Sequence, residues 1–309
     1  MTAARTIVIA GASGFVGRHL VATWRAAGHR VRTIGRAPTD DARWADPASL
    51  GTVLENSDLL VNLAGRSVSC RYTKRNADAI FSSRVGTTAA LGRALSETRR
   101  PPALWVNAST GTIYRDARDR PMDELTGEIG SGFSVEVARA WEHELRAAPT
   151  DVRRVALRMS IVLGTGGGAV NPIINLARLG LGGPMGDGGQ VFSWVHLADV
   201  LGAIEHLLAR PDLSGPVNVA SPHPVTNAEL MAATRSAVGR SHGLPTPAWL
   251  LEAGARIIRT EAELVLKSRW VDPGVLRDSG FEFRHPHLAG ALKQILATSP
   301  GGILATQLG

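Results

Sequence analysis

Short apolar segments alternate with longer amphipathic stretches through the first half of the chain. The apolar segments have the length and β-branched content of strands buried in a parallel sheet. They are Ile7–Ala10, Val31–Arg36, Leu59–Gly65, Ala103–Ser109 and Val152–Gly164. Helical periodicity is clearest between them at Ala77–Glu97 and Phe133–Ala148. This alternation predicts an α/β fold, with a Rossmann-type, doubly wound parallel sheet formed through right-handed crossovers.

Three glycines follow the first apolar segment at the spacing G-x-x-G-x-x-G. Gly11 permits a sharp turn, Gly14 leaves room for a pyrophosphate, and Gly17 lets the next helix pack tightly. That helix is predicted over Phe15–Ala27, and its first N–H groups favour a phosphate at the turn. A tight turn that binds nothing is the alternative. The order of strand, turn and helix favours a dinucleotide site. Its predicted contacts here are Gly11, Ser13, Gly14, Phe15, Val16 and Gly17.

The residue that ends the second predicted strand indicates which dinucleotide is bound. A site that prefers NAD usually has Asp or Glu about 20 residues after the glycines, where it accepts hydrogen bonds from the ribose. This chain has Arg36 there, with Arg32 on the same strand. A guanidinium suits the 2′-phosphate of NADP(H). The sequence therefore favours NADP(H) over NAD, with a solvated surface charge as the alternative for Arg36.

The strand–helix alternation ends at Gly164, where glycine-rich segments begin. One further helix, Leu197–Leu208, and one further strand, Gly215–Ala220, precede a mainly helical section. A late section of this kind usually covers the carboxyl ends of the strands, where open α/β sheets bind ligands. The predicted organisation is an NADP-binding Rossmann domain at 1–164 completed by about 191–220, a smaller C-terminal substrate-binding lobe at 165–190 and 221–298, and a flexible tail at 299–309.

Composition narrows the class of protein. The formal net charge is +7, but the basic residues are scattered and nearly all arginine, so nucleic-acid binding is not predicted. A single cysteine, Cys70, excludes an internal disulfide and a cysteine-based metal cluster. No apolar run reaches the roughly 18 residues of a membrane span. The sequence favours a cytoplasmic protein with no metal, no membrane contact and a small-molecule substrate; a homodimer is left open.

Several longer phrases of the sequence resemble one family. They are GASGFVG, Asn62–Gly65, Ser83–Thr88, Asn107–Tyr114, Leu157–Gly168, Gly189–Asp199 and Asn218–Leu230. The chain resembles the extended short-chain dehydrogenase/reductases, and within them the atypical branch of NAD-dependent epimerase/dehydratase-like "epimerase family" proteins. The closing segment Arg269–Phe283 resembles the C-terminal domain of unknown function of that branch. The resemblance covers nearly the whole chain, and it specifies a family far better than it specifies a reaction.

The resemblance adds a second group of cofactor contacts at the end of the strand at Leu59–Gly65. It implies that Asn62, Leu63, Ala64 and Gly65 approach the ribose and nicotinamide. Ser109 completes the predicted cofactor contacts, although its side chain is expected to point into the sheet.

Active relatives use a Ser or Thr near a tyrosine to polarise the substrate oxygen, and a Tyr-x-x-x-Lys pair on the next helix to move the proton. Thr110, four residues before Tyr114, matches the Ser/Thr position. Phe133 and Val137 stand where the resemblance implies Tyr and Lys, and neither can move a proton. Thr110 and Tyr114 are therefore the predicted catalytic residues, with packing as the alternative for Tyr114. The face of this helix is interpreted as packing.

Other polar residues of the matching phrases are expected to be structural. Capping or packing is favoured for His196 and Asp199, solvation for Glu136, and a surface charge for Arg84, while Cys70 is expected to be inert.

The substrate class follows from a departure from the family pattern. Sugar-nucleotide relatives carry an arginine for the diphosphate where this chain has Phe192 and Ser193, and a phenyl ring cannot replace a bidentate donor. Trp249 and Trp270 are compatible with apolar pocket walls or with core packing. The favoured function is an NADP(H)-dependent oxidoreductase acting on a small, partly apolar carbonyl or enone. A non-catalytic NADP(H)-binding sensor and a nucleotide-sugar epimerase or dehydratase are the alternatives.

Overall fold

The computed structural model describes residues 3–68, 70–246 and 267–298. The predicted tail at 299–309 and Trp249 lie outside the described residues. The strands are β1 Thr6–Ala10, β2 Arg30–Gly35, β3 Ala42–Arg43, β4 Leu59–Asn62, β5 Leu104–Thr110, β6 Arg153–Met159, β7 Ile161–Leu163, β8 Val191–Phe192, β9 Trp194–His196, β10 Gly215–Val219 and β11 Val225–Thr226. The helices are α1 Phe15–Ala26, α2 Pro47–Leu54, α3 Lys74–Glu97, α4 Phe133–Ala147, α5 Val170–Arg178, α6 Leu197–Ala209, α7 Asn227–Ala237, α8 Gly274–Asp278 and α9 Leu288–Ala297.

Seven of these strands form one parallel sheet in the order β10-β6-β5-β4-β1-β2-β3. The strand order reverses between β1 and β4, and open α/β sheets bind ligands at the carboxyl end of such a point. The prediction of a Rossmann-type, doubly wound parallel sheet is confirmed.

Apolar side chains alternate between the two faces of this sheet and form a core on each. Ile7 and Ile9 of β1 contribute to a cluster with α1 and α6, whereas Val8 contributes to a cluster with α2, α3 and α4. All three are at most 1% exposed. A strand that is apolar on both faces is what a sheet covered on both sides requires, and this explains the continuous apolar run in the sequence.

The predicted strand at Val152–Gly164 is wrong as a single element, because the chain changes sheet in its middle. β6 ends at Met159, and Ser160 donates its backbone N–H to the carbonyl of Val219 on the neighbouring strand. β7 then pairs with β9 in a separate two-stranded sheet. The predicted strand at Leu59–Gly65 is also too long, since β4 ends at Asn62.

A third apolar cluster lies outside the main sheet. Its buried members come from α5, α7, α9 and the small sheets, and they include Ile174, Trp194, Leu230 and Leu292. This cluster falls in the region where a second lobe is predicted; the lobe's exact boundaries stay a prediction. Within the described ranges, no helix has both the length and the apolar character needed to cross a membrane.

Candidate functional site

The glycine turn between β1 and α1 has the geometry of a cradle. Gly11 adopts φ +81°, and a Cβ there would lie 2.7 Å from the backbone carbonyl of Leu63. A Cβ at Gly17 would overlap the carbonyl oxygen of Gly11. By contrast, the nearest atom to a Cβ at Gly14 is 3.4 Å away. The protein therefore needs Gly11 and Gly17 for its own packing, whereas Gly14 leaves open space at the amino end of α1, where no side chain caps the helix.

A cavity of about 320 Å³ opens from this turn across the carboxyl ends of β4 and β5. Besides the glycine turn, its lining comes from the loop after β4, the end of β5, and helices α3 and α4. The lining residues are Gly11, Gly14, Phe15, Val16, Gly17, Leu63, Gly65, Val68, Tyr72, Ile80, Arg84, Ala108, Ser109, Thr110, Thr112, Phe133, Ser134, Val137, Ala138, Trp141 and Met159.

Most of the predicted cofactor residues thus surround one cavity, and four do not line it. Ser13 is exposed in the glycine turn, where its carbonyl accepts a hydrogen bond from Arg18. Ala64 is buried, and Asn62 is 0% exposed. Arg36, the fourth, is exposed just after β2.

Asn62 holds the loop after β4 in place through buried hydrogen bonds. Its Oδ1 accepts the backbone N–H of Ala64 at 3.1 Å, and its Nδ2 donates to Asn107 Oδ1 at 2.7 Å. Thr88 closes this network and accepts a hydrogen bond from the Trp141 indole. The bond from Ala64 bends the chain away from β4, which explains why that strand is shorter than predicted. Asn62 therefore positions the loop; its own side chain does not reach the cavity.

Ser109 and Tyr114 belong to a second buried network, beneath the cavity. The Ser109 hydroxyl donates to Glu142 at 2.7 Å, and Arg158 donates two hydrogen bonds to the same carboxylate, at 2.7 and 2.8 Å. Arg158 also donates to the Tyr114 hydroxyl at 2.8 Å, and that hydroxyl donates to Asn218 at 2.9 Å. The expectation that the Ser109 side chain points into the sheet agrees with this geometry.

The catalytic prediction for Tyr114 requires correction. Tyr114 is 2% exposed, does not line the cavity, and has both hydrogen-bonding positions of its hydroxyl occupied. Burial raises the pKa of its phenol, although the Arg158 charge acts in the opposite direction. Tyr114 is therefore a packing residue with a satisfied hydroxyl, which is the alternative that the sequence left open.

Thr110 lies at the carboxyl end of β5 and lines the cavity, as predicted for a residue that polarises a substrate. Its Oγ1 accepts the backbone N–H of Thr112 at 3.2 Å and lies 3.0 Å from the Thr112 Oγ1. No sequence motif singles out Thr112, which lines the cavity because a short helical turn follows β5.

The apolar face of α4 forms one wall of the cavity. Phe133, Val137 and Trp141 line it, whereas Leu145 is buried in the core beneath the sheet. The interpretation of this face as packing alone is therefore incomplete, because its first two turns face the space where a ligand fits. Phe133 is only half-buried.

Arg84 and Tyr72 are cavity residues that the sequence interpretation missed. Arg84 was expected to be a surface charge, but its guanidinium lies 5.1 Å from the centre of the Trp141 ring and donates to the carbonyls of Arg66 and Ile80. Burial lowers the pKa of Arg84. A signal was available, because Ile80, Arg84 and Thr88 share one helical face whose other members are 0% exposed.

Arg32 and Arg36, the two arginines considered for the 2′-phosphate, have different roles. Arg32 donates to the carbonyls of Val53 and Glu55 and so closes the end of α2. Arg36 follows the carboxyl end of β2, where it is exposed. β3 places Arg43 opposite Gly35 in the register, so a second exposed guanidinium group belongs to this edge of the sheet.

His196 and Asp199 have the structural roles that the sequence predicts for them. His196 Nδ1 accepts the backbone N–H of Ala198 at the start of α6, and burial lowers the pKa of this histidine to about 4. Asp199 accepts the backbone N–H groups of Arg284 and His285. Ser193, which with Phe192 occupies the region of the missing arginine, accepts the N–H of Val271 and is buried.

The sheet and glycine turn define a Rossmann-type protein, and comparison with known proteins specifies it further. Residues 7–220 match the model of the NAD dependent epimerase/dehydratase family, and residues 246–295 match a domain of unknown function, DUF1731. The chain belongs to the NAD dependent epimerase/dehydratase family, in agreement with the resemblance of its motifs.

Relatives of the same kind match over nearly their whole length. The chain is 33% identical to the epimerase family protein SDR39U1 of Bos taurus, over 94% of this chain and 99% of the relative. It is 35% identical to the epimerase family protein Mb2239 of Mycobacterium bovis, over 96% and 98%. Human epimerase family protein SDR39U1 (isoform 2), solved with NADPH, superimposes with a TM-score of 0.86 at 30% identity, covering 95% of this chain and 99% of that chain.

Proposed function

We propose that this protein is an NADP(H)-dependent oxidoreductase whose substrate is a small, partly apolar carbonyl or enone. The observation that carries the proposal is the single cavity that joins the glycine turn to Thr110, with an aromatic and aliphatic wall from α4. Such a cavity can hold the nicotinamide end of a dinucleotide beside a hydrogen-bond donor for a substrate oxygen.

The residues present fit NADP(H). The space beside Gly14 and the uncapped amino end of α1 suit a pyrophosphate. Arg36 at the carboxyl end of β2 suits a 2′-phosphate. The structural relative solved with NADPH supports the same assignment. When bound, NADP(H) supplies or accepts the hydride.

The chain's own residues would orient the substrate and stabilise charge. The Thr110 hydroxyl accepts from the Thr112 N–H, and with the Thr112 hydroxyl as the donor of the 3.0 Å pair its own proton is left for a hydrogen bond to the substrate oxygen. Phe133 and Val137 would exclude water from the reacting atoms, which strengthens that hydrogen bond. Phe192 and the buried Ser193 provide no cation for a diphosphate, which disfavours a nucleotide sugar.

Dinucleotide binding is tested at Gly14. A methyl group there meets nothing closer than 3.4 Å within the protein, so we expect Gly14→Ala to fold normally. It would displace the pyrophosphate and cost one or two charge-assisted hydrogen bonds, weakening NADPH binding by about 10- to 100-fold. Isothermal titration calorimetry measures this change. The control is Gly86→Ala on α3, where an added Cβ has no neighbour within 4 Å. Equal NADPH affinity in both variants would refute the assignment of a pyrophosphate site to the glycine turn.

Preference for NADPH is tested at Arg36. We expect NADPH to raise the melting temperature more than NADH does at equal concentration, because ligand stabilisation grows with the ratio of concentration to Kd. Arg36→Asp should abolish this difference, since a carboxylate repels the 2′-phosphate. Arg30→Asp, at the other end of β2, makes the same charge change and should preserve it. An equal or larger shift with NADH in the unmodified protein would contradict the assignment.

The reaction itself is tested by stopped-flow NADPH oxidation with simple ketones, enones, quinones and UDP-sugars. Phe133 and Val137, which α4 presents to the cavity, cannot donate a proton to the substrate. Activated acceptors, whose product anion is delocalised and depends less on protonation, should therefore react fastest. The same two residues are the observation that favours a non-catalytic sensor. Tight NADPH binding without oxidation of the cofactor by any acceptor would support the sensor, and turnover of a UDP-sugar would support the epimerase.

A further inference from the structure

Reduction of a carbonyl needs a proton for the substrate oxygen, and α4 presents no acidic group to the cavity. Its lining residues Phe133, Ser134, Val137, Ala138 and Trp141 are all uncharged. A tyrosine phenol, with an ordinary pKa of about 10, is far more acidic than a serine or threonine hydroxyl. Among the described residues that line the cavity, Tyr72 is the only phenol and Arg84 the only cation. Both come from the segment that leads into α3 or from α3 itself.

We propose that Tyr72 is the proton donor of the reaction and that Arg84 stabilises the tyrosinate left behind. This inference rests on the proposed oxidoreductase function and assigns its acid. The pair would act from the α3 side of the cavity, which Thr110 also lines.

The position of Tyr72 supports its role. Its ring packs against that of Phe133, with centroids 4.7 Å apart, so it covers the first turn of α4. Thr73 follows directly and caps α3 by accepting the backbone N–H of Asn76. The start of α3 thus fixes the backbone next to Tyr72, and the cavity includes this ring together with Thr110 and Thr112.

Arg84 lines the cavity, and its guanidinium is held in place by the protein. Its Nη1 donates to the carbonyls of Arg66 and Ile80 at 3.0 and 3.1 Å, and its guanidinium lies over the Trp141 ring. No carboxylate among the described residues forms an ion pair with it. A cation held in this way lowers the cost of a nearby anion.

The two side chains are electrostatically coupled. The Tyr72 phenol raises the pKa of Arg84, against the larger effect of burial, which lowers it. Coupling is reciprocal, so the Arg84 charge favours the tyrosinate. Other charges nearby are directed elsewhere: the Arg66 guanidinium donates to Asn76, and Glu136 on α4 is exposed. Cys70 lies in the same loop as Tyr72.

Hydride passes from the reduced nicotinamide to the substrate carbon, the carbonyl π bond opens, and the oxygen takes the proton of the Tyr72 hydroxyl. With a simple carbonyl, the products are the oxidised dinucleotide, the alcohol and a tyrosinate beside Arg84. With an enone, hydride adds to the β carbon and the C=C π bond shifts. The oxygen takes the proton of Tyr72, and the enol that forms tautomerises to the saturated ketone. Water then returns a proton to the tyrosinate.

The pair is tested without any turnover by ultraviolet titration of the tyrosines. The chain contains only two, Tyr72 and Tyr114, and burial raises the pKa of Tyr114. We expect a lower-pH ionisation that is absent from Tyr72→Phe. Arg84→Met should raise its midpoint by about one unit or more, and Arg84→Lys should restore most of the difference. Arg66→Met removes a neighbouring exposed charge as the control. An equal midpoint in Arg84→Met and the unmodified protein would overturn the proposal.

The catalytic arm separates this inference from the proposed function. With the best acceptor of the panel, Tyr72→Phe should slow single-turnover hydride transfer by about 10²- to 10⁴-fold, while NADPH affinity is unchanged. A normal rate in Tyr72→Phe overturns the donor and leaves the oxidoreductase intact. If the unmodified protein oxidises no NADPH but the titration shows the coupled phenol, the oxidoreductase function fails and the Tyr72–Arg84 coupling stands.

Discussion

Replacing Arg158 by Met is expected to lower the free energy of unfolding by about 3–5 kcal/mol. The change leaves Glu142, which is 3% exposed, as a buried carboxylate without its bidentate partner. It also removes the donor to the Tyr114 hydroxyl. A buried charge that loses its partner keeps its desolvation cost, so the loss should far exceed that of a surface ion pair. Urea unfolding followed by circular dichroism measures it.

Arg146 provides a matched control for this prediction. Its guanidinium also approaches Glu142, at 3.7 Å, but its side chain is 65% exposed, so Arg146→Met should cost about 1 kcal/mol or less. The double variant Glu142→Leu, Arg158→Met should recover part of the stability, because no buried charge remains. If Arg158→Met costs no more than Arg146→Met, the network is not the stabilising element that its geometry indicates.

The parts of the fold that depend on neighbouring residues could be predicted from the sequence. The glycine turn is an example, because the run at Ile7–Ala10, the spacing of Gly11, Gly14 and Gly17, and the helix after them lie within about twenty residues. The limits of β6 and β7 could not be predicted in this way, because they depend on pairing with β10 and β9, which come later in the chain.

The candidate site likewise contains residues whose roles depend on distant parts of the chain and residues whose roles depend on their neighbours in sequence. Tyr114 was open to a catalytic interpretation because its partners, Arg158 and Asn218, are 44 and 104 residues away in the sequence. Only the folded chain brings them together and closes its hydroxyl off from the cavity. Arg84 differs, since its place on the buried face of α3 is visible in the spacing of Ile80 and Thr88. Tyr72 had no such signal, because it precedes a helix and lies in an irregular loop.

Thr110→Val is expected to lower kcat for the best enone acceptor by about 10²- to 10³-fold, the usual cost of one hydrogen-bond donor to a developing oxyanion. Valine matches the shape of threonine and suits a strand end, so the cavity keeps its form. The cap on the short turn after β5 is lost, which should cost about 1 kcal/mol of stability. Steady-state kinetics and thermal melts on the same preparations separate the two effects.

Two further variants decide whether the hydroxyl itself acts on the substrate. Thr110→Ser keeps the donor and should retain most of the activity. Thr112→Val removes the neighbouring cavity hydroxyl, 3.0 Å from that of Thr110, while the oxygen that caps the turn stays. Its kcat should therefore fall far less than that of Thr110→Val. We expect equal NADPH affinity in all three, because the proposed pyrophosphate site is at the glycine turn. Enone reduction that persists at full rate in Thr110→Val would remove Thr110 from the reaction and leave the oxygen to Tyr72 alone.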